Sequence, residues 1–286
     1  MRLGITAALT DLDMAPAALA RSAEELGFSS LYLPEHTHLP LREDTPPALV
    51  AGVRPDDYKR GLDPLVALSA AGAVTTRLGL GTGILLVAQH DPIVLAKQVA
   101  TLDHLSAGRV TLGVGFGWNR AEAEDHGVDF EHRHERVREY LACMEALWSK
   151  EKAEYHGKLV DLPPTWAWPK PVQQPRVRTL VGGGSGDAIL AAVVDHADGW
   201  IPIGGSGLSS AVPRLRHMAH EAGRDPDALD VVPFGTIAGH GKLEHYAALG
   251  IKEVVLRVAA GPEDTMRAEL DALAPLISFA ETLEPS

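Results

Sequence analysis

The stretch from Arg77 to Asn119 constrains this chain more than any other, because it reads as strand, helix, strand with very little side chain along both strands. Leu78-Gly-Leu-Gly-Thr-Gly-Ile-Leu-Leu86 is followed by a helix opened by Asp91-Pro92, and then by Val110-Thr-Leu-Gly-Val-Gly-Phe-Gly-Trp118. Asp91 can cap the helix, and Pro92 sits at the first helical position, where a missing N–H costs nothing. Ile93, Ala96, Ala100 and Leu105 fall on one face, which the helical period predicts to be the buried one. Two strands joined by one crossover helix run parallel, with the helix covering the sheet.

A buried parallel strand normally carries Val, Ile and Leu. Here Gly79, Gly81 and Gly83 alternate with larger residues in one strand, and Gly113, Gly115 and Gly117 do so in the next. One face of each strand is therefore bare. Side chains from neighbouring strands would fill the space above any single glycine. With both strands bare and ending in Phe116 and Trp118, the sharper expectation is a flat ring system lying against the backbone.

The same alternation runs through the chain. Leu3–Ala7 reads as a strand, Met14–Leu26 as a helix closed by Gly27, and Ser29–Leu33 as the second strand. That strand delivers Pro34-Glu35-His36-Thr37-His38 into a long proline-rich loop, and Asp63-Pro64 opens the next helix with the same device as Asp91-Pro92. Val137, Tyr140, Leu141, Met144, Leu147 and Trp148 mark a long amphipathic helix, with Cys143 beside them. Residues 151–178 break the pattern with Pro163, Pro164, Pro169, Pro171 and Pro175, an excursion in which Trp166 and Trp168 either wall a pocket or pack on the body. Further strands are expected within Thr179–Gly186, as a short strand running into glycines, and at Gly199–Gly204, Leu229–Phe234 and Lys252–Val258, with helices from near Asp187 and at about 208–222, 241–249 and 262–277. Eight strands alternating with helices, with no shift in composition to mark a linker, predict one α/β domain over residues 1–286, a (β/α)8 TIM barrel. A doubly wound open sheet is the alternative.

In such a barrel the site forms where strands end and loops begin. His36 and His38 raise a metal site first, but the other strand ends offer Trp, Gly and Val rather than further ligands, so none is expected. Neither a Gly-x-Ser-x-Gly elbow nor a Cys–His nucleophile is evident. Gly182-Gly-Gly-Ser-Gly186 suits a phosphate better: glycines let backbone N–H groups face an anion, and the following helix adds its positive end. A formal charge of −12 argues against nucleic acid or an anionic membrane as partner. The amino terminus enters a strand without a signal-peptide pattern, no apolar run has membrane-span length, and one cysteine rules out a disulfide within the chain. A cytoplasmic enzyme acting on a small molecule is the expectation.

Pro34-Glu35-His36, Gly79-Leu-Gly-Thr-Gly-Ile84, Ala96-Lys-Gln-Val-Ala-Thr-Leu-Asp103, Leu105-Ser-Ala-Gly-Arg109, Gly113-Val-Gly-Phe-Gly-Trp118, Val181-Gly-Gly-Gly184 and Ala197-Asp-Gly-Trp200 together resemble the bacterial luciferase-like monooxygenase superfamily over nearly the whole chain. Glu-His after the second strand, Gly-Trp-Asn after the fourth, and Pro-Lys-Pro before Val181 resemble the branch that uses the deazaflavin coenzyme F420; FMN-using members share much of this pattern. The resemblance implies that Gly83-Ile84 is a non-prolyl cis peptide backing the ring. It further implies that Gly115, Phe116 and Trp118 line ring and pocket, and that Gly183, Gly184 and Ser185 hold the phosphate. Glu35 and His36 match an acidic residue and a histidine near the reactive ring carbon. Sugar-phosphate dehydrogenases of that branch carry a carboxylate where this chain has Trp118, which argues against a sugar phosphate.

The function expected is therefore F420-dependent hydride transfer to or from a small organic substrate, with His36 exchanging a proton and Glu35 orienting it or the cofactor. Arg42, Arg54, Lys59 and Arg60 could meet the anionic tail that F420 carries and FMN lacks. An FMN-dependent monooxygenase is the first alternative, and a flavin-binding barrel without catalysis the second. Members of the superfamily often dimerise, and the acidic charge neither favours nor opposes a homodimer.

Overall fold

A computed structural model describes residues 1–41, 55–237 and 239–284. The strands are β1 Arg2–Thr6, β2 Ser30–Leu33, β3 Gly79–Thr82, β4 Val110–Val114, β5 Ala153–His156, β6 Asp161–Thr165, β7 Arg178–Gly183, β8 Gly199–Pro202, β9 Asp230–Val231, β10 Phe234–Thr236 and β11 Glu253–Arg257. The helices are α1 Pro16–Leu26, α2 Pro55–Arg60, α3 Pro64–Gly72, α4 Pro92–Leu105, α5 Arg120–Asp125, α6 Arg133–Ser149, α7 Asp187–His196, α8 Leu208–Glu221, α9 His240–Ala247, α10 Glu263–Leu273 and α11 Pro275–Glu281.

Nine strands form one parallel sheet in the order β10-β11-β1-β2-β3-β4-β7-β8-β9. The outermost two, β9 and β10, are consecutive in the chain, and a parallel bridge from Ile203 to Phe234 brings the edges together, so the sheet curls. The count differs from the eight expected because the segment read as Leu229–Phe234 is interrupted at Pro233, which has no N–H to give a ladder. None of the described helices is long and apolar enough to cross a membrane.

Both Asp-Pro devices work as the sequence predicts. The Asp63 carboxylate accepts the Val66 N–H at 2.8 Å, and Asp91 accepts those of Ile93 and Val94, each at 2.9 Å. The buried face of α4 is another matter. Ile93 is 46% exposed and Leu105 73%, while Leu95, Val99 and Leu102 are buried beside Ala96 and Ala100. The larger stripe at i, i+4, i+7 takes the core, and Trp148 of α6 packs over Ala96, donating its indole N–H to the Ala96 carbonyl at 2.9 Å.

The bare strand faces are likewise filled by protein. A Cβ on Gly81 would collide with the Tyr32 ring, on Gly83 with the Phe234 ring, on Gly115 and Gly182 with Ile84, and on Gly113 with the Thr82 carbonyl. At Gly81, Gly83, Gly113 and Gly115 the space beside the backbone is thus taken by groups from other strands. The excursion after α6 contains an antiparallel hairpin, β5–β6, held on α6 by Glu139, which accepts the N–H groups of Lys158 at 3.0 Å and Leu159 at 2.8 Å. Trp166 and Trp168 lie on it mostly exposed.

At the amino ends of the strands, ionic and hydroxyl groups plug the curl. Arg178 reaches Asp230 at 2.8 Å and Glu253 at 3.4 Å, and Glu253 also accepts from Ser30 at 2.9 Å and from the Tyr32 hydroxyl at 3.3 Å. Burial opposes the Arg178 charge, but the neighbouring Tyr32, Glu253 and Asp230 outweigh it and raise the pKa. Burial, then Glu253, push the Tyr32 hydroxyl upward.

Candidate active site

The chain leaves β2 at the carboxyl end of the sheet as Pro34-Glu35-His36-Thr37-His38. Glu35 turns inward and is buried. One oxygen accepts the Leu86 N–H at 2.5 Å, the other lies 2.8 Å from His90 Nε2, and the Glu35 N–H donates to the Ile84 carbonyl at 3.2 Å. Glu35 thus clamps the segment Ile84–His90 and does not orient His36. Burial works against a charged His90, while the hydrogen bond and charge of Glu35 raise its pKa.

His36 is oriented by a residue that the sequence reading missed. Its Nδ1 lies 2.7 Å from an oxygen of Glu122, whose other oxygen accepts the Thr37 N–H at 2.9 Å. Glu122 is fully buried in the first turn of α5, where the Asn119 side chain accepts its N–H at 3.3 Å. The signal was the cap spacing Asn119-x-x-Glu122: it fixes where the carboxylate starts, but not that a loop eighty-odd residues earlier will meet it. With Nδ1–H donated to a carboxylate, Nε2 of a neutral His36 carries the lone pair.

Around that ring stand Tyr58 and Trp118, with centroids 5.0 and 5.6 Å from His36 and 6.0 Å from each other, all edge-on. His38 goes elsewhere: its Nε2 lies 3.1 Å from Asp125, so the two histidines serve different carboxylates. The Gly83–Ile84 peptide is cis. Ile84 then projects over Gly115 and Gly182, which places it in the middle of the carboxyl end. Phe116 stacks on His134 of α6, with centroids 3.9 Å apart and planes 14° apart, and therefore faces the helix layer.

At the end of β7, Gly184 and Gly186 face open space, with nothing within 4 Å of an added Cβ. The first N–H groups of α7 follow directly and have no intrahelical acceptor. Arg214 of α8 donates to the Ser185 carbonyl and lies 3.4 Å from Asp187, a cation that the sequence reading did not place here. Open glycines, a helix start and a guanidinium fit a phosphate group. Trp118, Ile203 and Ile237, each on a loop leaving a strand, are 42%, 55% and 67% exposed, apolar surface that suits a flat ring above the sheet rather than between its strands. Of the basic residues expected to meet a cofactor tail, Arg42 and Arg54 lie outside the described residues. Arg60 forks onto Asp11, with Nε 2.7 Å from Oδ1.

The luciferase-like monooxygenase family matches residues 15–249. A protein of uncharacterised function from Mycobacterium tuberculosis (strain ATCC 25618 / H37Rv) is 44% identical over 281 residues, spanning 96% of this chain and 98% of its own. Among solved structures, an F420-dependent secondary alcohol dehydrogenase in complex with an F420-acetone adduct aligns with a TM-score of 0.77 and 17% identity over 98% of each chain. A monooxygenase from Streptomyces bottropensis aligns with a TM-score of 0.74 and 19% identity, over 96% of this chain and 98% of its own. At such identities these two structures speak for the fold.

Proposed function

This chain belongs to the luciferase-like monooxygenase family, and from that premise we propose that it is an F420-dependent oxidoreductase acting on a small, neutral, largely apolar carbonyl compound or alcohol. The observation that carries the reading is His36, held through Nδ1 by the buried Glu122 and walled by Tyr58 and Trp118 at the carboxyl end of the sheet. A histidine fixed in one tautomer beside an apolar wall is equipped to give or take one proton at Nε2. Bound F420 would supply hydride transfer at C5 of its ring.

The chain's own residues divide the remaining work. Gly184, Gly186, the start of α7 and Arg214 would hold the phosphate, and Ile84 would support the ring from below. Trp118 and Tyr58 exclude water from the His36 ring, which favours proton transfer to a bound substrate over exchange with solvent. A carboxylate or phosphate on the substrate would meet an apolar indole at Trp118, so the substrate proposed is uncharged near its reacting carbon.

Titrating the protein with F420 and with FMN, at low and moderate salt, tests the reading without knowledge of the substrate. F420 is expected to bind more tightly, with a preference that narrows as salt screens its anionic tail. Tighter FMN binding together with substrate-dependent oxygen consumption would replace it with a flavin monooxygenase. Cofactor binding without turnover across a broad panel of ketones, enones, imines and aldehydes would point to a barrel that binds and does not catalyse.

A further inference from the structure

Thr37 stands where the loop after β2 meets α5, and its hydroxyl has more neighbours than one proton can serve. The oxygen lies 2.9 Å from His38 Nδ1, 2.7 Å from His126 Nε2 and 3.4 Å from Glu122 Oε1. Among the described residues these are the titratable groups that meet it; Asp125 meets His38 in turn, and His36 meets Glu122. Thr37 is exposed and the His38 side chain 41% exposed, whereas that of Glu122 is only 1% exposed. One hydroxyl therefore joins a surface cluster to the buried carboxylate that holds His36.

With both surface rings neutral, a single arrangement satisfies every donor. A hydroxyl donates once and accepts twice, and a neutral imidazole donates from one nitrogen and accepts at the other. His38 gives its Nε2–H to the Asp125 carboxylate, which leaves a lone pair on Nδ1. Thr37 gives its proton to that lone pair and accepts the Nε2–H of His126. Glu122 Oε1 then receives only the Thr37 N–H, at 2.9 Å. The 3.4 Å from the hydroxyl to the same oxygen is long for an O–H···O bond and agrees with a proton aimed elsewhere.

A second proton on His38 reverses this order. Nδ1 becomes a donor, so the hydroxyl oxygen accepts from His38 and His126 together. Its own proton then has one acceptor within reach, Glu122 Oε1. We infer that Thr37 is a positioning residue for His36: it passes the protonation state of the exposed His38 to Glu122, and so sets how firmly that carboxylate holds the His36 Nδ1–H. A third donor draws on the same negative charge and leaves less of it for the imidazole. The importance of this link for turnover rests on the reading of His36 given above, while the link itself does not.

The test uses the full chain with isotopically labelled histidine, free of cofactor and substrate, and reads the ring nitrogens by nuclear magnetic resonance through the carbon-bound ring protons. His36→Gln and His38→Gln assign the two rings. In wild type the His36 Nδ1 signal is expected to carry a step with the midpoint of the His38 titration, and His38→Gln should abolish that step. Thr37→Val keeps the N–H on Glu122 and the shape of the side chain, and should lose the step with its thermal midpoint unchanged; Thr37→Ser should retain it. Thr37→Ala removes the same hydroxyl should the valine variant fold poorly. Absence of the step in wild type overturns the inference. A step of equal size without the hydroxyl overturns it too, because His36 would then feel the charge of His38 directly. Failure of the site reading shows elsewhere: wild-type turnover in His36→Ala would strike the role of His36 and leave the link standing.

Discussion

The two ends of the curled sheet are built on opposite terms. At the amino end, charged groups are answered: the partly buried Arg178 sits between Asp230 and the buried Glu253, and Glu253 collects Ser30, Tyr32 and Arg2 as well. At the carboxyl end, apolar groups stand partly in water at Trp118, Ile203 and Ile237, around a histidine whose Nε2 has no partner among the described residues. The first arrangement leaves nothing for a ligand to satisfy. The second leaves apolar surface and one imidazole nitrogen uncommitted, features that suit a binding end.

The largest effect that would break this contrast is expected at His36. His36→Ala should lower turnover about 10²–10⁴-fold, or about 2.7–5.4 kcal/mol of barrier, with cofactor affinity and thermal midpoint nearly unchanged. Glu122→Gln, which keeps the shape but not the charge, should lower turnover by less. Steady-state kinetics beside cofactor titration decides the matter. Parallel losses in binding and rate would make His36 a cofactor-positioning residue instead.

The amino end should answer in stability and not in chemistry. Arg178→Met leaves Asp230 short of its partner and Glu253 dependent on Arg2, and for a partly buried pair the loss should fall between the ~1 kcal/mol of a surface pair and the roughly 3–5 kcal/mol of a fully buried one. Urea unfolding should show that loss while the folded fraction binds cofactor like wild type. A variant as stable as wild type would mean that the plug is only solvated charge.

The amino-acid sequence made the alternation of elements legible, and both Asp-Pro caps, because those signals are local. It did not reveal what fills the glycine faces, since Tyr32, Phe234 and Ile84 reach them from other strands. A missing side chain looks the same whether a ligand or a neighbour occupies its volume. Two helical faces of α4 satisfied the same period, and packing against α6 chose Leu95 and Val99 over Ile93 and Leu105. Glu35 and His36 are adjacent in sequence and suggested a pair. The turn after β2 sends one inward to Leu86 and His90 and the other outward to Glu122.

The same ambiguity among glycines yields a sharper comparison. Gly81→Ala would press a methyl group into the Tyr32 ring and should destabilise the fold by about 1–3 kcal/mol. Gly184→Val, where an added Cβ meets nothing within 4 Å, should leave the thermal midpoint in place. It should still weaken cofactor at least tenfold, about 1.4 kcal/mol, by blocking an anion's approach to the start of α7. Unchanged cofactor affinity in a folded Gly184→Val would remove this loop from the phosphate site.

The smallest expected effect is a pH dependence confined to the carboxyl end. His90 is held by Glu35, with Asp63 contributing at longer range, so its folded pKa lies above the ordinary value of 6.5 despite burial. A folded state that binds a proton more tightly than the unfolded chain gains stability that is fully present below the unfolded pKa. That gain is lost as pH rises through the folded value. Wild type should therefore lose part of its urea midpoint on going from slightly acid to slightly alkaline pH. His90→Gln, which can still donate to Glu35 but does not titrate, should lose less. Other histidines contribute to the absolute curve, and burial gives His134 and His196 the opposite sign, so the readout is the difference between the two proteins. Parallel curves across that range would show that the Glu35 clamp on Ile84–His90 holds equally well with His90 neutral.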